Sequence, residues 1–199
     1  MKPNSIPSAG TDVQQSNEVE GNNVRPFFAK PNVGRSAFLS DCKKYRYSLT
    51  RTWDENKPIV LFIMLNPSTA DGVVDDPTIR RCKVFAEDWG YGGLYVGNLY
   101  PFRAKEPTNL LLAENPLGKL NGDYIKMMAL NSELIICAWG NSGIVNKLQK
   151  RFPDYKPLAD LNRHLHYLEL SMDGTPKHPL YLKAELMPIK YETKSCRLS

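Results

Sequence analysis

Three short apolar runs, each closed by a polar or glycine-bearing signature, limit what this 199-residue chain can fold into. The runs are IVLFIML (Ile59 to Leu65), LYVGN (Leu94 to Asn98) and ELIICAW (Glu133 to Trp139). The first is short, continuous and rich in β-branched residues, which suits a strand covered on both faces. HLHYLEL (His164 to Leu170) predicts a fourth strand. YRYSLTRTW (Tyr45 to Trp53) alternates large and polar residues, the pattern of a half-exposed strand. Helical patterns separate the runs. TIRRCKVFAEDWG follows Pro77, a residue suited to the first turn of a helix, and ends on Gly90, Gly92 and Gly93. Residues 119 to 131 predict a helix with Tyr124, Met127, Met128 and Leu130 inward. A turn over Gly140 to Gly143 leads into the helix IVNKLQKRF.

Strands that alternate with helices imply a parallel sheet with helices on both faces. The expected fold is therefore α/β: a three-layer α/β/α domain around a central, mainly parallel four-stranded sheet. In such folds ligands bind beyond the carboxyl ends of the strands. The signatures Asn66-Pro67-Ser68, Asn98-Leu99 and Trp139-Gly140-Asn141 would gather at that rim. The length suits one domain over residues 31–190. The polar, aperiodic residues 1–30 read as a disordered tail, and residues 191–199 as a C-terminal tail.

Hydrophobic residues at 42% and charged residues at 24% permit a real core. A net charge of +5 permits contact with a polyanion without demanding it. No apolar run approaches the roughly 20 residues of a membrane span, and the N-terminus has no apolar signal segment. The expectation is a cytoplasmic, monomeric protein with no membrane partner. The cysteines Cys42, Cys82, Cys137 and Cys196 are widely spaced, without a C-x-x-C pair, so reduced thiols are expected and no metal or other cofactor. His164 and His166 would share a strand face, but no third ligand motif lies near them.

The segments LNPSTADG, DDPTIRRC, WGYGG, NLYPFRA, AWGNSG and GTPKHPLYL are similar to the signatures of a bacterial and phage family known only as the domain of unknown function 1643 family. The match runs from about Tyr45 to Leu182. More distantly, the chain resembles the uracil-DNA glycosylase superfamily. Leu65-Asn66-Pro67, Val96-Gly97-Asn98-Leu99 with Arg103, Ala138-Trp139-Gly140-Asn141 and Lys177-His178-Pro179-Leu180 follow that superfamily's motif order. Met64 stands where those enzymes have Gly, and Leu180 where they have Ser. Both add bulk where backbone approaches DNA or base, which counts against uracil itself as the substrate.

That resemblance implies hydrolysis of an N-glycosidic bond on a flipped-out base. Such a reaction needs a positioned water and a stabilised leaving base. By resemblance Asn66 holds the water; its alternative role is to end a strand before Pro67. Asp71 is the preferred general base should Asn66 not suffice. Asp75 and Asp76 are further candidates, with Asp76 better suited to cap the helix at Pro77 than to act as a base. His178 is a candidate donor to the leaving base. The amide of Asn98 can read a base's hydrogen-bonding edge. Tyr100 and Phe102 could stack on a base or pack in the core, and Trp139 and Asn141 complete the expected base-binding set. Ser68, Thr69, Arg80, Arg81, Arg103, Ser142 and Lys177 are candidates for phosphate contacts, with Lys105 beside Arg103; the basic residues could equally solvate a surface.

The leading expectation is a DNA glycosylase that acts on a non-standard or modified base, with modified phage DNA and defence against phage as an attractive setting. The alternatives are a module that binds a free nucleotide or modified base without cleaving it, and an enzyme of modified-nucleotide metabolism.

Overall fold

The computed structural model describes residues 34–68, 74–159, 161 and 165–191. The expected N-terminal tail, 1–30, lies outside the described residues, as do residues 192–199 of the expected C-terminal tail; Tyr191, its first residue, is instead buried in the core. Seven strands form one mixed sheet in the order β1-β2-β4-β3-β5-β6-β7. They are β1 (Gly34–Leu39), β2 (Arg46–Thr52), β3 (Ile59–Met64), β4 (Gly93–Asn98), β5 (Leu134–Cys137), β6 (Leu165–Tyr167) and β7 (Ile189–Lys190). Among the described residues four helices accompany them: α1 (Pro77–Asp88), α2 (Asn109–Leu112), α3 (Asn121–Leu130) and α4 (Ser142–Arg151). A 3₁₀ turn covers Pro179–Tyr181.

The four strands expected to be parallel are so: β4 pairs with β3, β3 with β5, and β5 with β6, all in parallel. The expectation of a four-stranded sheet is corrected. β2 and β1 extend it by antiparallel pairing at one side, and β7 by antiparallel pairing at the other. The last two additions are short or lack a clear apolar pattern, so nothing local marked them as strands.

Side-chain alternation along the parallel strands builds two cores. Val60, Phe62 and Met64 of β3, with Leu94 and Val96 of β4, pack against Ile79, Cys82, Phe85 and Ala86 of α1. Leu61, Ile63 and Leu65 face the other way, onto Ile125 and Met128 of α3 and Ile144 and Leu148 of α4. Cys82 and Cys137 lie in these cores as free thiols, and Cys42 is exposed. No described helix is long and apolar enough to cross a membrane.

Two finer expectations are overturned. β2 is buried along its whole length rather than half exposed. It lies between β1 and β4 instead of at an edge, so its polar residues Ser48 and Thr50 are covered as fully as Leu49. Opposite Tyr47 the register slips: Phe38 pairs with Ser48 and Leu39 with Arg46. Tyr47 is the extra residue of this bulge, and it stacks on Tyr124 of α3 at 5.4 Å between ring centres. In α3 itself Leu130 is exposed, and Asn121, Ile125 and Ala129 join Met128 on the buried face.

Candidate functional site

The parallel strands end together. Met64 lies opposite Asn98, and Ile63 opposite Cys137. Hydrogen bonds continue past the strand ends. Leu99 N–H donates to Met64 O at 2.7 Å, Tyr100 N–H to Leu65 O at 2.9 Å and Ala138 N–H to Ile63 O at 2.8 Å. The turn after β5 then meets the loop before the 3₁₀ turn. Gly140 N–H donates to Pro176 O at 2.8 Å. Gly140 has φ +57°, and a Cβ there would come within 3.3 Å of His178 Cβ. Glycine suits this position on both counts, since it tolerates left-handed backbone and leaves room for the histidine loop. Asn66, Asn98, Gly140 and His178 therefore belong to one rim.

The Asn66 amide nitrogen donates to Pro67 O at 3.0 Å and to Ala104 O at 2.8 Å. Ala104 N–H returns a bond to Pro67 O at 3.0 Å. Asn66 thus ties the end of β3 to the loop after β4. Its Oδ1, held in orientation by these bonds, accepts none among the described residues.

Asn98 differs. It is 1% exposed, and among the described residues neither its Nδ2 nor its Oδ1 has a hydrogen-bond partner. By strand alternation its side chain follows Leu94 and Val96 to the α1 face, beside its registered neighbour Met64. Its backbone is clamped from the opposite face. Asn121 Nδ2 donates to Asn98 O at 2.9 Å and to Leu99 O at 3.1 Å, and Tyr155 Oη donates to Leu99 O at 2.7 Å. Burial pushes the Tyr155 phenol well above its ordinary pKa, so it remains a donor.

His178 is half-buried, and its Nδ1 accepts from Leu180 N–H at 3.3 Å. Burial lowers its pKa, against an opposing pull from Asp76 at the start of α1. A neutral ring accepting at Nδ1 carries its proton on Nε2, which makes Nε2 a donor. Asp76 itself caps α1, its Oδ1 accepting from Ile79 N–H at 2.9 Å. Asp75 is held by Arg51 at 2.6 Å, with Arg35 at 3.9 Å. Asp71 and Thr69 lie outside the described residues, as does His164.

The remaining expected site residues divide. Tyr100 and Trp139 are core residues. Tyr100 packs on Tyr155, and burial pushes its pKa up to about 12. Asn141 is exposed and left-handed at the start of α4. Ser142 binds the Asp173 carboxylate, which this bond and one from Ser171 hold well below the usual carboxylate range. Lys177 pairs with Glu169. Arg80 donates to Asp75 O at 2.6 Å. Arg81 donates to Leu182 O and lies over the Phe85 ring at 4.6 Å, joining α1 to the 3₁₀ turn. No group of three potential metal ligands occurs among the described residues.

Ser68 and Arg103 do come together. With Phe102, Ala104, Lys105, Lys43 and Lys44 they line a hollow of about 360 Å³. The sequence reading did not foresee Lys43 and Lys44. Their only local signal is two adjacent lysines ahead of β2, which says nothing of a partner some 60 residues away.

A family profile described as protein of unknown function (DUF1643) matches residues 46–180. The chain belongs to this family. The matched span begins at β2 and ends in the 3₁₀ turn beside His178, so it takes in the parallel strands and the whole rim. No curated protein and no solved structure matches the chain.

Proposed function

We propose that this DUF1643 protein is a DNA glycosylase that hydrolyses the N-glycosidic bond of a flipped-out, non-standard or modified base. The observation that carries the reading is the Asn98 side chain, enclosed at the end of a central parallel strand with every polar atom unpartnered. A buried, unsatisfied amide costs about 1–3 kcal/mol, and such a cost is retained where a ligand supplies the missing partners. An amide offers two donors and an acceptor, which suits the edge of a nucleobase.

The neighbouring groups fit the remaining steps. Water adds to the sugar C1′ as the C1′–N bond breaks, and the bonding electrons leave with the base. Asn66 Oδ1, fixed by its own amide donors, orients that water. The His178 Nε2–H donates to the charge that develops on the base. The water's proton passes to solvent. Extraction of the base from its stack costs a few kcal/mol, least for a mispaired or damaged base. The bulk of Met64 and Leu180 favours a base other than uracil. DNA modified as phage DNA is modified would supply one, and defence against phage would be the setting.

The test is incubation of the purified protein with unmodified, uracil-containing and phage-modified DNA, with alkali-labile abasic sites scored. Abasic sites on one modified substrate are expected; their absence on all three ends the proposal. A second reading, binding of a nucleotide or modified base without cleavage, draws support from the carboxylates before α1. Asp75 is neutralised by Arg51 and Asp76 caps the helix, so neither is free to act as a general base. Tight nucleotide binding without turnover, altered by Asn66→Ala only in affinity, would select it.

A further inference from the structure

We infer that the hollow between the β1–β2 turn and the loop after β4 holds the phosphate backbone of one nucleic-acid strand, gripped by Lys43, Lys44, Arg103 and Lys105. The inference deepens the proposed function and rests on it for the choice of polyanion.

The charge arrangement is the first ground. Four cations line one hollow, and among the described residues no carboxylate lines it with them. Three lysines elsewhere pair with a carboxylate, Lys57 with Asp54, Lys83 with Glu87 and Lys177 with Glu169, while exposed lysines such as Lys126 and Lys147 stand apart from one another. None of the four cations of the hollow has such a partner among the described residues. Like charges gathered without a counter-charge repel one another, and an anion between them removes that repulsion.

The second ground is preorganisation. Arg103 Nη1 donates to Lys43 O at 3.1 Å, and Arg103 N–H to Lys44 O at 2.9 Å. These bonds fasten the β1–β2 turn to the loop after β4, so the lysines are set beside the arginine before any ligand arrives. Arg103 Nε is buried and has no hydrogen-bond partner among the described residues, so the guanidinium keeps an unspent donor. Lys43 holds φ +56°, a left-handed conformation that a lysine adopts at some cost. Ser68 adds a hydroxyl, and Phe102, set edge-on to Tyr45 at 5.9 Å, adds an aromatic surface for a base or sugar.

Size and charge together favour a polymer over a free nucleotide. A hollow of about 360 Å³ is at the small end for ligand sites, which run from roughly 300 to 1,000 Å³, and admits about one nucleotide. A single terminal phosphate carries about −1.5 to −2, which four cations exceed. A strand that threads the hollow brings the phosphates on either side within reach of the same cations. Asn66 fixes where that strand lies relative to the rim, because its amide is bonded to Ala104 O, and Ala104 lines the hollow.

The test uses the full chain and a fluorescein-labelled single-stranded oligodeoxynucleotide, with anisotropy read across a salt series. The double variant Lys43→Gln/Lys44→Gln is compared with Lys126→Gln/Lys147→Gln, which removes the same charge from exposed helix surfaces. The expected result is a loss of on the order of tenfold in affinity for the first variant and under about twofold for the second. The slope of log affinity against log salt should fall by about 0.7 for each phosphate contact removed. Equal losses in the two variants, or none in the first, would overturn the inference. So would a wild-type protein that ignores the oligonucleotide but binds a 5′-mononucleotide in a manner sensitive to Lys43 and Lys44. No base release is needed for this measurement, so the site can hold if the glycosylase reading fails. Abasic-site formation with an unchanged salt response in the double variant would retire the hollow alone.

Discussion

The rim has an enclosed side and an open side, and they are built on opposite principles. On the enclosed side Asn98 is sealed against the α1 core with its amide unsatisfied, while Asn121 and Tyr155 hold its backbone from behind. On the open side Arg103, in the loop after β4, binds two carbonyls of the β1–β2 turn, and four cations line the hollow between them. The enclosed group, which in the proposed function reads a base, is out of reach until the α1 side opens. The open groups are within reach, but a phosphate backbone carries no base identity for them to read. A protein that must find a strand and then inspect one base needs both: attraction where solvent enters, and a dry, polar contact where discrimination occurs.

The largest expected effect that would test this contrast falls on the clamp. Asn121→Ala removes donors to two buried carbonyls and a bond with Tyr155, and should cost about 2–3 kcal/mol of stability by denaturant unfolding. A loss below about 0.5 kcal/mol would mean that the end of β4 needs no such support. Next is Asn98→Leu, which substitutes an apolar side chain of similar size for an unsatisfied amide. It should stabilise the fold by about 1 kcal/mol while abolishing base binding. Destabilisation would indicate that the amide already has partners, and the enclosed side would lose its functional claim.

A smaller effect concerns pH. Burial depresses the His178 pKa below its ordinary value, so the folded state favours the neutral ring. The stability this gives is present above the unfolded value of about 6.5 and is lost as pH falls from there through the folded pKa. His178→Asn keeps an acceptor for Leu180 N–H but does not titrate in this range. Thermal melts from pH 7.5 down to 5 should therefore show a shallower decline for the variant than for the parent chain; parallel declines would remove the buried-neutral assignment. The smallest effect is expected on the open side. Lys43→Gln/Lys44→Gln should change unfolding free energy by no more than about 0.5 kcal/mol, because neither side chain has an ion-pair partner among the described residues. A rise in stability at low salt would be consistent with relief of their mutual repulsion.

Much of the architecture was legible because it is local. Ile59–Met64, Gly93–Asn98 and Leu134–Cys137 are strands because their apolar β-branched runs can be covered on both faces, and α1 starts where Asp76-Pro77 says it should. The convergence of the Asn66, Asn98 and Gly140 segments followed from strand alternation with helices, whereas His178 was singled out by resemblance. The burial of β2 was misread because its alternating polar residues resemble a solvent-facing strand. Nothing within Arg46–Thr52 indicates that Gly34–Leu39 will cover it, or that Arg51 will meet Asp75 across the sheet. The assignment of Tyr100 to the core turned on Tyr155, which lies 55 residues further along.

What the chain's sequence determined alone was periodicity and punctuation: which segments extend, which coil, and in what order their polar ends reach the rim. Those properties depend on neighbours within a few residues. The tertiary structure decided which polar groups are satisfied and which are not. Asn66 and Asn98 are the same residue type close to the ends of neighbouring strands, yet one amide is bonded to Ala104 and the other to no described residue. Likewise Lys43 and Lys44 gained their meaning only when the loop after β4 came to lie beside them. Hydrogen-bond satisfaction and charge proximity depend on distance in space, and sequence spacing does not encode that once the separation exceeds a turn or two.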